Sequence, residues 1–337
     1  MAKKTVTAPK AVISRKSSKA PKLTDALRGR QLPHIGVLSR EDLDTVISLG
    51  EWFRDHPEDR TYGNLLAGRL QALLFVYEST RTRMGFTRAM TQLGGETAYL
   101  NAKETQMGRG ESVSDTARAL NEFVDCLSAR LWKQEDMDTM ASMMDVPVFN
   151  ACTPRDHSTH VIGELMAIKQ AKGKLEGLNL VYTGMARGIL HSFLRVCPVL
   201  KINLVLAIPA SYARTLDKAI VAEGEARAKK SGTRLEVVTD LKKAVQGADF
   251  IQASTLIRSM LAGEMSPEEK EVEIPKWTVT DEVLACAKKD VLYSHSGPAH
   301  RNVCATDSVM DGPKSIIPQE AQNAFYAKKS LFALMVK

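Results

Sequence analysis

Glu78-Ser79-Thr80-Arg81-Thr82-Arg83 follows directly on an apolar run, residues 72–77, and opens a stretch of helical periodicity, residues 80–93. A strand, a hydroxyl-rich turn and a helix start, in that order, place free backbone N–H groups and the positive end of a helix dipole beside a buried strand end. That is the geometry of an anion site. Ser79, Thr80 and Thr82 add hydroxyl donors, and Arg81 adds a planar fork matched to phosphate oxygens. Arg83 lies two residues on, cannot share Arg81's direction on a helix, and is expected to make a structural pair elsewhere. A solvated helix start with a Ser or Thr cap is the plainer alternative. Two arginines interleaved with three hydroxyls after an apolar strand favour phosphate.

Working outward, nine short runs rich in Val, Ile and Leu read as strands: residues 72–77, 97–100, 126–131, 147–152, 179–183, 202–208, 235–239, 249–254 and 291–295. Helical periodicity fills 80–93 and 113–124, then 160–171 before the stop signal Gly173, 214–230 before Gly232, and about 318–336. Strands alternating with helices predict βαβ units and parallel sheets. At 337 residues the chain has the length of two domains. The expected fold is therefore α/β, with two doubly wound domains. Residues 25–152 form the first and 153–315 the second, divided where Thr153-Pro154-Arg155-Asp156 breaks the periodicity. The last helix, within 316–337, has no strand of its own and must dock on earlier structure. A ligand is expected in the cleft between the domains.

Composition excludes several classes. No run of 18 apolar residues occurs, which excludes a spanning helix. Five cysteines, Cys126, Cys152, Cys197, Cys286 and Cys304, are widely spaced with no CxxC pair, so a zinc ribbon or thioredoxin-like site is not expected and a reducing, cytoplasmic setting is. The net charge of +7 lies in a tail: residues 1–22 carry seven basic groups and no acid, leaving 39 basic and 39 acidic groups elsewhere. Residues 1–24 read as a disordered, solvated arm. The tail has no aromatics to stack bases, which argues against a nucleic-acid partner. Its Ser-rich, acid-free character leaves organelle targeting as the lesser alternative. Met137, Met140, Met143 and Met144 read as core packing. His157 and His160 share a helix face, but with no third ligand nearby in sequence a metal is not expected.

Several ordered motifs now converge. Ser79-Thr80-Arg81-Thr82-Arg83 resembles the carbamoyl-phosphate signature of the aspartate and ornithine carbamoyltransferases. Gln106-Met107-Gly108-Arg109-Gly110-Glu111-Ser112, followed by Asp115-Thr116-Ala117-Arg118, resembles the ornithine-type loop and helix. Val124-Asp125-Cys126 through Arg130 resembles the strand that ends in the family's carbamoyl-contacting arginine. Asn150-Ala151 through His157, then Leu165 and Ile168, is similar to the Asn…His-Pro-x-Gln segment. Ser296-Gly297-Pro298-Ala299-His300-Arg301, with Thr306-Asp307 and Asp311-Gly312-Pro313, resembles the ornithine-type His-Cys-Leu-Pro-Ala-His-Arg segment. The resemblance runs from about residue 25 to the end, and motifs in order over that span are far more specific than one short match.

The resemblance implies transfer of a carbamoyl group from carbamoyl phosphate to an amine, with no metal or organic cofactor. It implies a homotrimer, or a multiple of trimers, with sites at subunit boundaries, and a last helix that returns to the first domain. Ser79, Thr80, Arg81 and Thr82 would hold the phosphate. Arg130, His157 and Thr82 would donate to the carbamoyl oxygen, Arg301 would be a further clamp, and Gln106 would reach the neighbouring chain's site.

The departures cluster on the acceptor side. The family's His-Pro-x-Gln reads His157-Ser158-Thr159-His160, so the amide contact to the carbamoyl group would pass to the imidazole of His160. The asparagine that grips the amino-acid acceptor is absent, and Arg187 stands near its place. Ser254 replaces the aspartate that pairs with an α-amino group, ahead of Arg258-Ser259-Met260, and Ser296-Gly297 replaces Cys-Leu. Arg187, Ser254, Arg258, Ser259, Met260 and Ser296 are thus the expected acceptor contacts. A pocket that lost Asp and Asn and gained two arginines suits an acceptor more anionic than ornithine, such as oxamate or an N-acylated amino acid. The same losses leave a second reading, a catalytically weak paralogue that binds carbamoyl phosphate as a regulatory or structural subunit.

Overall fold

The computed structural model describes residues 19–213, 216–255 and 266–337. The first 18 residues of the expected arm, and Arg258, Ser259 and Met260, lie outside the described residues. All nine expected strands form, each within two residues of its apolar run. β1 (Leu70–Phe75), β2 (Glu96–Asn101), β3 (Cys126–Arg130) and β4 (Val148–Cys152) make a parallel sheet in the order β2-β1-β3-β4. β5 (Asn179–Thr183), β6 (Asn203–Ala207), β7 (Leu235–Val238), β8 (Phe250–Ala253) and β9 (Leu292–His295) make a second, in the order β7-β6-β5-β8-β9, again all parallel.

Parallel sheets need cover on both faces, which explains why these strands read as continuous apolar runs. In β1, Leu73 and Phe75 face the main core, while Ala72 and Leu74 face a smaller cluster with Met137, Met140, Met144 and Val148. Three of the four methionines are therefore core, as expected. Met143 is not; it is exposed at the end of its helix.

The helices that bear on the site are α1 (Arg40–Asp55), α2 (Thr80–Gln92), α3 (Val113–Asn121), α4 (Gln134–Met143), α5 (Ser158–Lys172), α6 (Gly188–Val196), α7 (Lys218–Ser231), α8 (Pro267–Trp277) and α9 (Ile317–Met335). α9 packs on α1, α2 and α5, so the last helix lies against the first sheet's helices. Its contact with α5 is close enough that a Cβ on Gly163 would collide with the backbone of Ala324. No described helix is long and apolar enough to cross a membrane.

Strand order then decides where a ligand goes. In the first sheet the chain runs from β1 out to β2, then crosses to β3 on the other side. In the second it runs β5, β6, β7, then crosses to β8. Such switch points open a crevice beyond the carboxyl ends of the strands.

Candidate active site

A cavity of about 430 Å³ lies at these two crevices. One wall is built from residues just past β1, β3 and β4, the other from residues just past β5, β8 and β9.

The first wall holds the anion cradle. Ser79 is the N-cap of α2, with an extended backbone and its Oγ accepting from the N–H of Thr82 at 3.4 Å. No acidic residue occupies the first turn of α2, so the positive end of the dipole is left for a ligand. Ser79, Thr80, Arg81 and Thr82 all line the cavity. Arg83 points elsewhere, its guanidinium 3.5 Å over the ring of Tyr99, which is the structural pair expected for it. Arg81 reaches the second wall: a Cβ on Gly297 would sit 2.5 Å from Arg81 Nη2. Gly297 has φ +56° and donates its N–H to His295 Nδ1 at 2.8 Å. Glycine suits this backbone conformation best, and any side chain there would have to displace the Arg81 guanidinium.

Arg130 and His157 enter from β3 and from the start of α5. The side chain of Arg130 makes no hydrogen bond or ion pair among the described residues, and its Nε is buried without a partner. Its guanidinium instead lies 4.1 Å over the ring of Tyr77. His157 is buried, and its backbone N–H donates to Ser192 Oγ at 2.9 Å. Ser192 Oγ donates in turn to the fully buried Asp156 at 2.8 Å. Burial first, then His160, Arg130 and Lys328, hold the His157 imidazole well below the usual histidine range. It is a neutral ring at pH 7, able to donate one N–H and not a source of protons.

His160 also lines the cavity, but its two nitrogens face inward. Nδ1 lies 3.3 Å from Glu320 on α9, and Nε2 lies 3.5 Å from Glu164 on the next turn of α5. Nδ1 is thus engaged by Glu320, while the buried Nε2 makes no hydrogen bond among the described residues, and the contact to a carbamoyl group expected of His160 stays a proposal. His160, Glu164 and Glu320 bring ligand-type atoms within 4.8 Å of one another, a grouping hidden from sequence because Glu320 comes from the last helix. Buried Lys328, whose charge acts on Glu320 and His160, supplies the positive charge of this cluster. We read it as a buried polar cluster in which burial keeps protons on the carboxyl groups, and not a metal centre.

The cluster has a measurable consequence. Burial pushes Glu164 up to about 8 and Glu320 up to about 7. Both folded values exceed the unfolded carboxylate value, so the folded chain holds protons that the unfolded chain has released. Their contribution is fully present below about pH 4.5 and is lost as pH rises towards 8. Glu164→Gln removes one such proton. The melting temperature of the parent minus that of the variant is expected to fall by roughly 5 °C from pH 5 to pH 8. A pH-independent difference would contradict the assignment.

On the second wall, Arg187 precedes α6 and is exposed, with no ion-pair partner among the described residues. Ser254 and Thr255 follow β8, and Ser296 follows β9; all three line the cavity. Arg301 and Gln106, the second expected at a neighbouring chain's site, do not line this cavity. Arg301 is turned outward and held by Asp307 at 2.6 Å and Asp311 at 2.7 and 2.8 Å, so its charge is already matched. Gln106 stands on a short turn and accepts from Arg109 at 3.2 Å. Sequence reasoning missed Tyr77, Trp132, Tyr182 and His300, which also line the cavity.

Comparison with known proteins matches two family descriptions in tandem. Residues 30–170 match "Aspartate/ornithine carbamoyltransferase, carbamoyl-P binding domain", and residues 176–335 match "Aspartate/ornithine carbamoyltransferase, Asp/Orn binding domain". The ornithine carbamoyltransferase of Pyrococcus horikoshii is 33% identical over 311 residues, 92% of this chain and 97% of that one. That of Oceanobacillus iheyensis is 31% identical over 310 residues, 92% of this chain and 95% of that one. Among solved structures, ornithine carbamoyltransferase from Pyrococcus furiosus superposes with a TM-score of 0.86 at 32% identity, covering 92% of this chain and 98% of its own. Aspartate transcarbamoylase from Trypanosoma cruzi superposes at 0.82 with 20% identity, over 95% and 98% of the two chains, a likeness of fold.

Proposed function

The chain belongs to the aspartate/ornithine carbamoyltransferase family, and on that premise we propose that it moves the carbamoyl group of carbamoyl phosphate to the nitrogen of a small anionic acceptor. The observation that carries this reading is the convergence of the α2 cradle, Arg130 and His157 on one cavity. Carbamoyl phosphate is a dianion joined to a polar carbonyl, and the wall offers donors for both halves. Ser79, Thr80, Arg81 and Thr82 hold the phosphate. Arg130, the neutral His157 and Thr82 donate to the carbonyl oxygen, where negative charge grows when nitrogen attacks. The new N–C bond forms, the C–O bond to phosphate breaks, and the proton lost by nitrogen ends on the departing phosphate. No protein nucleophile is needed; positioning and preorganised charge suffice.

The acceptor reading follows the charge of the second wall. Among the described lining residues the cavity has one carboxylate, Glu78, against Arg81, Arg130 and Arg187. Arg187 is the group available for an acceptor carboxylate, with Ser254 and Ser296 beside it as neutral donors. An α-ammonium finds no carboxylate at Ser254. The relatives named ornithine carbamoyltransferase make ornithine the first comparator. The reading also includes a homotrimer, in which Gln106 serves a neighbouring cavity and not its own.

The test is ureido-product formation with carbamoyl phosphate and a panel of ornithine, aspartate, oxamate and N-acylated amino acids. Oxamate or an N-acylated amino acid is expected to exceed ornithine in kcat/KM. Arg187→Ala is expected to raise the acceptor KM about tenfold or more while leaving that for carbamoyl phosphate unchanged. Preference for ornithine, with Arg187→Ala behaving as the parent, would refute the acceptor assignment.

A further inference from the structure

Arg130 is held in an unusual way. An arginine held partly out of water, as half-buried Arg130 is, is ordinarily fixed by a carboxylate, which also neutralises it. Arg130 has no such partner among the described residues, and its Nε is buried without a hydrogen bond. What meets it is the face of Tyr77, 4.1 Å away. Tyr77 is itself stacked on Trp132, with ring centroids 4.2 Å apart and planes 24° from parallel. Two groups at about that distance from one centroid cannot share a face, so the phenol ring is sandwiched between guanidinium and indole.

The sheet builds this stack. β1 and β3 are parallel neighbours with Phe75 opposite Arg130. Tyr77 and Trp132 each lie two residues beyond that last paired position, past the strand ends. Arg130 ends β3 and Trp132 lies in the bend that follows, so Tyr77, coming from the end of the neighbouring strand, meets both. Tyr77, Arg130 and Trp132 all line the cavity.

We propose that Tyr77, backed by Trp132, is a positioning residue that aims the guanidinium of Arg130 at the carbamoyl oxygen without discharging it. An aromatic face engages the plane of a guanidinium and leaves its N–H edges free. A carboxylate would occupy those edges and cancel the charge that the developing oxyanion needs. The inference rests on the carbamoyltransferase reading of Arg130 and adds to it how that residue is preorganised.

The test separates the two halves of the ligand. Carbamoyl phosphate and inorganic phosphate are titrated calorimetrically into the full chain and into Tyr77→Leu and Tyr77→Phe. Tyr77→Leu is expected to bind carbamoyl phosphate about tenfold more weakly and inorganic phosphate as the parent does. Tyr77→Phe keeps the aromatic face and is expected to match the parent with both. The inference is overturned if Tyr77→Leu keeps the parent's ratio of the two affinities, whether by retaining both or losing both together. It is equally overturned if Tyr77→Phe loses as much as Tyr77→Leu. A parent that binds carbamoyl phosphate no better than phosphate overturns the underlying reading of Arg130 itself.

Discussion

Arg130→Ala is expected to lower kcat for carbamoyl transfer by about 10²–10³-fold, the loss typical of removing one preorganised oxyanion donor. The residue ends β3 beside the cradle, with a guanidinium free of any carboxylate among the described residues. Its charge is therefore available where the carbonyl oxygen gains negative charge. The loss should fall on kcat and still more on kcat/KM, because Arg130 donates to the carbonyl oxygen of bound carbamoyl phosphate and donates more strongly as nitrogen adds to carbon. Binding of inorganic phosphate should persist, since the cradle residues belong to α2 and not to β3. Steady-state kinetics with a saturating acceptor measure the first, and calorimetry with phosphate the second. A variant with unchanged kcat would remove Arg130 from the mechanism.

Arg81→Ala is expected to raise the KM for carbamoyl phosphate about ten- to hundredfold, the range for losing a hydrogen bond to a charged group. Arg81→Lys should recover little of it, because an ammonium lacks the planar fork. The same residue can be disturbed from the opposite wall. Gly297→Ala would place a Cβ 2.5 Å from Arg81 Nη2, at a position whose φ of +56° already disfavours a side chain. It should weaken carbamoyl phosphate binding in the same direction as Arg81→Ala. A normal KM in both variants would mean that Arg81 does not grip the phosphate.

The fold was legible because each parallel strand, covered on both faces, declares itself as a short apolar run. The helices were less uniform. α1 starts with a full capping box, Ser39 accepting from Asp42 N–H and Asp42 accepting from Ser39 N–H, a signal present in the sequence but not used. α6 escaped because it is short: it is amphipathic, with His191, Ser192 and Arg195 among its apolar residues, but nine residues are too few for a helical period to declare itself.

The site divides along a similar line. The cradle was legible because its parts are contiguous: a strand end, a cap and the first turn of one helix. The cluster of His160, Glu164, Glu320 and Lys328 was not, since it joins α5 to the last helix. The sandwich of Arg130, Tyr77 and Trp132 was hidden because it needs the register between β1 and β3. The hold of Asp307 and Asp311 on the Arg301 guanidinium was not legible either, since it depends on how the loop after β9 folds back.

Everything proposed for catalysis presupposes that the start of α2 is a seat for carbamoyl phosphate. Calorimetric titration of carbamoyl phosphate into the parent and into Arg81→Ala tests that directly. The account predicts saturable heat with one site per chain in the parent, and binding weakened about ten- to hundredfold in the variant. No heat in the parent, or equal affinity in the two proteins, would contradict it.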